Sequence, residues 1–340
     1  DDFYFSDLPQ KVSNAGFKSL VVMINHSDSE VIGNNNEKNL KKIVLPHKLG
    51  LYDEIKNLGL LWAEYKTLTK EIRLEKNKIK KKFLYFARIE SLSPSSLTSL
   101  RLAMQIGGLV KTLEPKALIT THEGYAWERR VYDAARQVDQ NIKCIGYTHA
   151  PIFENQHAIR RSLAKQFNPD LILVSGHTQK KQLKKYGLLI NIQIDVLGSL
   201  RFIKGKVDNS DLQIKKKITS KTQQFCLVVP EGIKKEIDLL FDFSLECAKA
   251  IPECQFIWRL HPIFASIKLK YGNLPDNIII SDQKLKHDLL KSQWVLYRAS
   301  SVVIQAVVAG LKPIYLHRAD EIKIDPIYEI DNWKSEVKSV

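Results

Sequence analysis

No apolar run in the 340-residue chain is long enough to cross a bilayer, and no signal-peptide pattern is present. Cysteine is scarce: Cys144, Cys226, Cys247 and Cys254 are scattered, with no CxxC pair and no Cys/His ligand spacing. That pattern argues against a disulfide framework and a structural zinc, and it fits a reducing cytosol. Walker A, GxGxxG and GxSxG sequences are all missing, as is a convincing DxD. These gaps disfavour a mononucleotide kinase, a dinucleotide oxidoreductase, a nucleophile-elbow hydrolase and a metal-dependent transferase. Asp28-Ser29-Glu30 comes nearest to DxD, but in an Asn-rich polar loop it reads as a turn.

What is present is positive charge. Lys and Arg number 52 against 37 Asp and Glu, a formal net charge of +15. Such a balance favours an anionic partner: nucleic acid, an acidic membrane face or a phosphorylated substrate. The charge gathers at Lys76–Lys82, Lys180–Lys185 and Lys215–Lys217, each of which also suits a solvated helix end or linker. No zinc finger, RNP motif or aromatic-interleaved basic stretch occurs, so specific nucleic-acid binding is not expected. A cytoplasmic protein touching the anionic leaflet of the inner membrane through its Lys-rich segments is the more natural expectation. With 44% hydrophobic and 26% charged residues the chain is globular, and its length suits two domains. It starts at Asp1 rather than Met, as a piece of a longer protein would.

Short β-branched runs alternate with amphipathic stretches throughout. Strands are predicted at Ser19–Ile24, Lys42–Leu45, Ala117–Thr120, Lys143–Tyr147, Leu171–Val174 and Asp195–Leu197, then at Phe225–Val229, Phe256–Arg259, Asn277–Ile280, Trp294–Tyr297 and Pro313–Leu316. Helices are predicted at Tyr52–Lys78, Ser96–Leu113, Trp127–Gln137, Lys234–Ala250, Leu285–Ser292 and Ser301–Ala309. The alternation predicts an α/β protein with parallel sheets and right-handed crossovers. The polar, Lys-rich stretch 202–224 reads as a linker between an N-terminal Rossmann-like domain (1–201) and a second one (225–325). The tail, 326–340, is free on this reading to return to the first domain.

Open parallel sheets bind ligands outside the carboxyl ends of their strands, and five such ends are unusual. After ALITT comes His122-Glu123-Gly124, where Glu123 sits on a tight turn and can serve as a general base or a nucleophile. Glu128 follows in the first helical turn, where an acid also complements the helix dipole. After FIW comes Arg259-Leu260-His261-Pro262, whose imidazole can hold a phosphate. After WVLY comes Arg298-Ala299-Ser300-Ser301, two hydroxyls and a guanidinium ahead of an apolar helix. Pro230-Glu231-Gly232 offers an acceptor for a ribose or base, and Tyr147-Thr148-His149 places a second imidazole at a strand end.

In this order the motifs resemble those of metal-independent GT-B glycosyltransferases. More narrowly, the chain resembles bacterial transferases of CMP-activated ulosonic acids, the sialyl and Kdo transferases, which carry acidic-acidic-Gly, His-Pro and Ser-Ser motifs. The counterparts are His122-Glu123-Gly124, His261-Pro262 and Ser300-Ser301. The runs EGYAWE, GYTHAP, VVPEG, RLHP and WVLYRASSVVIQAVVAGLKPIYL also resemble proteins of surface-carbohydrate biosynthesis. The likeness runs from about Ala117 to Leu316 and departs at His122, where the motif's first acid stands.

The resemblance implies two Rossmann-like domains facing across a cleft, with a CMP-linked sialic, pseudaminic or Kdo-type sugar held by the second. His261, Pro262, Ser300 and Ser301 would hold the nucleotide phosphate, with Glu231, Gly232 and Arg298 beside it. Glu123 would act as base, or as nucleophile in a retaining reaction, with Glu128 the next candidate carboxylate. His122, His149 and Arg259 would face substrate, and the acceptor would be a cell-surface glycan. No cofactor or metal is expected. Three alternatives stand beside this: a UDP- or GDP-sugar donor, a CDP-glycerol-type phosphotransfer, or a basic RNA- or membrane-binding protein with a degenerate cleft.

Overall fold

The structure, a computed structural model, describes residues 4–25, 41–200, 224–264, 269–330 and 332–339. The predicted linker up to residue 223, the Asp28–Glu30 turn and Lys215–Lys217 lie outside them. The chain divides into two compact units, one of residues 1–149 with 157–201 and the other of 150–156 with 202–340. Both are α/β units built on parallel strands, as the alternating pattern predicts.

In the first unit, α1 (Leu8–Asn14) precedes a two-stranded parallel sheet of β1 (Leu20–Ile24) and β2 (Lys41–Leu45). A second sheet holds β3 (Ala117–Thr121), β4 (Lys143–Thr148), β5 (Leu171–Val174) and β6 (Gln193–Val196), side by side in chain order. Its core lies where α4 (Pro94–Leu113) packs on α5 (Ala126–Val138). Leu102, Ile106 and Val110 meet Val131, Tyr132, Ala135 and Cys144 there.

The predicted single helix Tyr52–Lys78 is instead two: α2 (Leu51–Leu74) and α3 (Lys78–Ser91). Glu75 leaves the helical conformation, and the Asn77 side chain accepts from Ile79 N at 2.9 Å and Lys80 N at 3.1 Å, starting α3 afresh. Arg101 on α4 grips Glu54 of α2 through two nitrogens, Nε at 2.8 Å and Nη2 at 2.9 Å, which holds the Glu54 carboxyl below its usual range. The helix α6 (His177–Lys184) follows β5.

The second unit is doubly wound. Its strands are β7 (Gln224–Val229), β8 (Cys254–Trp258), β9 (Ile278–Ile280), β10 (Trp294–Tyr297), β11 (Lys312–Leu316) and β12 (Ser335–Val337). They stand in the order β12-β11-β10-β7-β8-β9, all parallel. This is the Rossmann order: the chain builds outward from β7 in one direction and then restarts at β10 on its other side. Helix α7 (Lys234–Ala250) covers one face through Ile237, Leu240, Phe241 and Ala248, spaced as one helical stripe. Phe241 stacks on Trp258 with centroids 4.2 Å apart. Helices α8 (Leu285–Lys291) and α9 (Val302–Val308) cover the other face through Leu289, Val303 and Ala306.

The tail that the sequence leaves free supplies the last strand of this second sheet. Ser335, Glu336 and Val337 run in register with Ile314, Tyr315 and Leu316. A buried Lys334–Asp325 ion pair, with Tyr297 donating to the same carboxylate at 2.9 Å, ties it in place.

Candidate functional site

Glu123 and Gly124 occupy the turn from β3 into α5. Gly124 has φ +85, and a Cβ there would lie 2.4–2.6 Å from the backbone of Ala158 and Ile159. Only glycine fits both constraints. The turn is clasped from below by Glu128. Its carboxylate accepts from the backbone N–H of Glu123 at 3.0 Å, of Gly124 at 2.8 Å and of Tyr125 at 2.9 Å. Burial pushes this carboxyl up to about 8, against the pull of those three donors.

Glu128 is fully buried, so the second candidate carboxylate holds the loop and does not reach a substrate. The sequence does carry a signal for this. Glu128, Val131, Tyr132 and Ala135 follow the i, i+3, i+4, i+7 spacing of the core-facing stripe. An acid on such a stripe needs buried donors, and the turn provides them.

His122 is likewise corrected from a substrate-facing residue to a core residue, with no exposed surface. The room for its ring exists because position 146 is glycine: a Cβ there would stand 2.6 Å from that of His122. Its Nδ1 lies 3.6 Å from Glu128 Oε2, and burial lowers the imidazole to about 3. Among the described residues neither ring nitrogen has a hydrogen-bond partner.

Two sequence candidates do come together. Glu123 is partly exposed, and its Oε1 lies 3.4 Å from His149 Nε2. The His149 ring rests edge-on against Tyr4, with centroids 4.8 Å apart. Arg129 fixes the loop facing this turn: it donates to Asn168 Oδ1 at 2.8 Å and to the carbonyls of Ala158 and Arg161. This arrangement sets a carboxylate after β3 beside an imidazole after β4.

The second cluster lies where the order of the six-stranded sheet reverses. Val229, at the end of β7, pairs with Tyr297 at the end of β10, and Val228 pairs with Trp258 at the end of β8. The loops carrying Glu231-Gly232, Ser300-Ser301 and His261-Pro262 therefore leave one edge of the sheet from three adjacent strands. Gly232 lies against the His261 ring, so close that a Cβ would sit 3.0 Å from Nδ1. That nitrogen accepts from Ile263 N at 3.3 Å, and partial burial lowers the imidazole below its usual range. Ser300 is buried and Ser301 partly so, immediately before α9. Burial, with Glu236 nearby, raises the Glu231 carboxyl.

The two candidate arginines of the second unit are otherwise engaged. Arg298, almost fully buried, donates to Glu236 at 2.7 Å, to Glu321 at 2.6 Å and to the Leu316 carbonyl at 3.1 Å. Arg259 donates to Asp288 at 2.8 Å and to the Gln283 carbonyl at 2.6 Å. Each ties a strand end to a neighbouring loop or helix. Their partners lie 18–62 residues away in sequence, which is why strand-end position alone points to ligand contact. Among the described residues no group of three or more His, Cys, Asp or Glu is placed to hold a metal ion.

No family model matches the chain, and no curated protein matches it. Solved structures do resemble it, at low identity. A UDP-N-acetylglucosamine 2-epimerase from Methanocaldococcus jannaschii, solved with UDP-N-acetylglucosamine and UDP, is 12% identical over 94% of this chain and 88% of its own, with a TM-score of 0.49. The Arabidopsis thaliana protein UGT89C1 is 12% identical over 92% of this chain and 76% of its own, with a TM-score of 0.48. For a candidate UDP-N-acetylglucosamine 2-epimerase from Listeria monocytogenes the identity is 12%, over 68% of this chain, with a TM-score of 0.42; the chain spans 64% of its length. The fold established by the chain's own strands is that of two α/β units, the second with a complete Rossmann strand order.

Proposed function

We propose that the chain is a glycosyltransferase of GT-B type that takes its sugar from a nucleotide-activated donor held by the second unit. One observation carries this reading: the reversal between β7 and β10, with Gly232, His261, Ser300 and Ser301 on the loops that leave that edge. Neighbouring loops diverge at such a reversal and open a crevice for a nucleotide. His261 would meet the donor phosphate and, when protonated, stabilise it as it departs. On the first unit Glu123 would take the proton of an acceptor hydroxyl, with His149 holding the carboxylate's orientation. In a retaining reaction the same carboxylate would attack the anomeric carbon. The acceptor in this reading is a growing cell-surface glycan.

The order of the three short motifs favours a CMP-linked ulosonic acid. A UDP- or GDP-linked neutral sugar is favoured by a different observation. Arg259 and Arg298, the strand-end guanidinium groups that a sugar carboxylate would need, are already paired with Asp288, Glu236 and Glu321. A thermal-shift panel separates the two. A ligand at one hundred times its Kd adds about 2.7 kcal/mol of stability, so CMP alone raising Tm supports the first donor, and UDP or GDP alone the second. UDP-N-acetylglucosamine, a ligand of the Methanocaldococcus structure, belongs in the same panel. No shift with any nucleotide or nucleotide sugar overturns the reading. With the donor known, Glu123→Gln is expected to keep the nucleotide shift and lose transfer by about a hundredfold or more. Full activity in that variant removes Glu123 from the chemistry.

A further inference from the structure

The helical pair α2–α3 carries more uncovered apolar surface than the rest of the first unit explains. On α3, Ile79, Phe83 and Phe86 are 70%, 71% and 56% exposed. Their i, i+4, i+7 spacing places them in one stripe. Leu74, in the last turn of α2, is 70% exposed beside the same turn. Lys80 and Lys82 flank the stripe, and Lys81 and Arg88 stand opposite it. Between Lys66 and Arg88 the chain has nine Lys or Arg and two Asp or Glu.

These features together define an interfacial amphipathic helix: aromatic and aliphatic side chains on one face, lysines around them, and low overall hydrophobicity. Among the described residues no helix is long and apolar enough to cross a membrane, so the pattern fits a segment lying on a bilayer. A solvated basic helix has no use for Phe83 and Phe86 in water. A second copy would bring two clusters of like charge together.

The hairpin is also braced internally. Its base is fixed by the bidentate Arg101–Glu54 pair, and its turn by the Asn77 cap. Trp62 and Tyr65 stack at 5.3 Å, and the Arg88 guanidinium lies 5.4 Å from the Tyr65 ring centroid, bracing α3 on α2.

We propose that α2–α3 docks the protein on an anionic phospholipid bilayer, with Leu74, Ile79, Phe83 and Phe86 entering the acyl boundary and the flanking Lys80 and Lys82 meeting the headgroup phosphates. This holds whichever sugar is transferred. The test is vesicle flotation of the full chain, using phosphatidylcholine vesicles with and without phosphatidylglycerol. The wild type is expected to float only with the anionic vesicles. Joint replacement Ile79→Ser, Phe83→Ser and Phe86→Ser, and separately Lys80→Glu, Lys81→Glu and Lys82→Glu, are each expected to weaken binding by about tenfold or more. All six side chains are exposed, so the circular dichroism and Tm of both variants should match the wild type. The second basic face, on α6, serves as the control: Lys181→Glu, Lys184→Glu and Lys185→Glu should retain most of the binding.

Three outcomes overturn the proposal. One is absence of flotation, including the case where the chain binds RNA instead. Another is hairpin variants that float like the wild type. The third is a serine variant that dissociates a dimer in sedimentation velocity while flotation is unchanged.

Discussion

The turn after β3 and the loops after β7, β8 and β10 are both strand-end loops of parallel sheets, yet they are held in opposite ways. Among the described residues the four-stranded sheet of the first unit runs β3-β4-β5-β6 in chain order, with no reversal between those strands. Its exposed carboxylate, Glu123, is positioned locally by a buried clasp: three backbone N–H groups on Glu128, and a glycine pressed against another segment's backbone. The six-stranded sheet reverses between β7 and β10, and strand order brings its loops together, with Arg259 and Arg298 tying two of the strand ends to their neighbours. The glycine contact there is softer, against the His261 side chain and not against backbone. A rigid turn suits a group that must meet a proton in one geometry. Loops set apart by topology suit a ligand that enters and leaves.

The sharpest way to break this comparison is to remove the buried α5 carboxyl, Glu128, and to neutralise the loop carboxyl, Glu231. Glu128→Ala leaves three backbone donors without their acceptor, and at about 1–3 kcal/mol each a loss of about 3 kcal/mol or more is expected in urea melts. Glu231 is raised by burial beside Glu236. A carboxyl whose folded pKa is raised costs stability as pH climbs past its unfolded value. Glu231→Gln is therefore expected to leave stability at neutral pH unchanged, or to raise it by less than about 1 kcal/mol. Equal losses in the two variants would mean that the second cluster is clasped as tightly as the first.

The glycines sharpen the same contrast at smaller size. Alanine at position 124 meets backbone at 2.4–2.6 Å with φ +85, where nothing soft can move. A loss of about 2–3 kcal/mol is expected, with activity falling as Glu123 is displaced. Alanine at position 232 meets the His261 ring first, at 3.0–3.3 Å, and the ring can turn. Stability should change by less than about 1 kcal/mol, while nucleotide affinity, read by titration calorimetry, should fall.

Much of this was legible in the residues. Strands of apolar, β-branched residues showed themselves within a residue or two, because a strand buried on both faces reads as an unbroken run. The exposed elements did not. Helices α3 and α6 are written in lysines, and β12 is a three-residue edge strand with two exposed positions. For such segments tertiary contact, not composition, decides the conformation. The site divides along the same line. The Gly124 turn and the strand-end positions follow from local sequence. The pairing of Arg298 with Glu236 and Glu321, and the burial of His122 beneath Gly146, depend on residues brought together from afar.

His122 gives the cleanest sign, and near neutral pH the smallest effect. Its imidazole is held neutral by burial, with its folded pKa lowered from 6.5 to about 3. Between those values the unfolded chain binds a proton that the folded protein refuses, so stability falls as pH drops from 6.5 toward 3. Glu128 pulls the other way. Its carboxyl, raised to about 8, favours the folded state as pH falls from 8 to 4.5, so the two partly cancel in the wild type. Comparison with His122→Asn removes that overlap, because Glu128 remains in both proteins. The variant's stability relative to wild type should rise as pH falls, by about 1.4 kcal/mol per pH unit at most, between 6.5 and 3. A flat difference across that window would mean that His122 is charged in the fold. The clasp beneath Glu123 would then contain an ion pair, and the rigidity of that turn would be electrostatic in origin, not a product of packing and backbone hydrogen bonds.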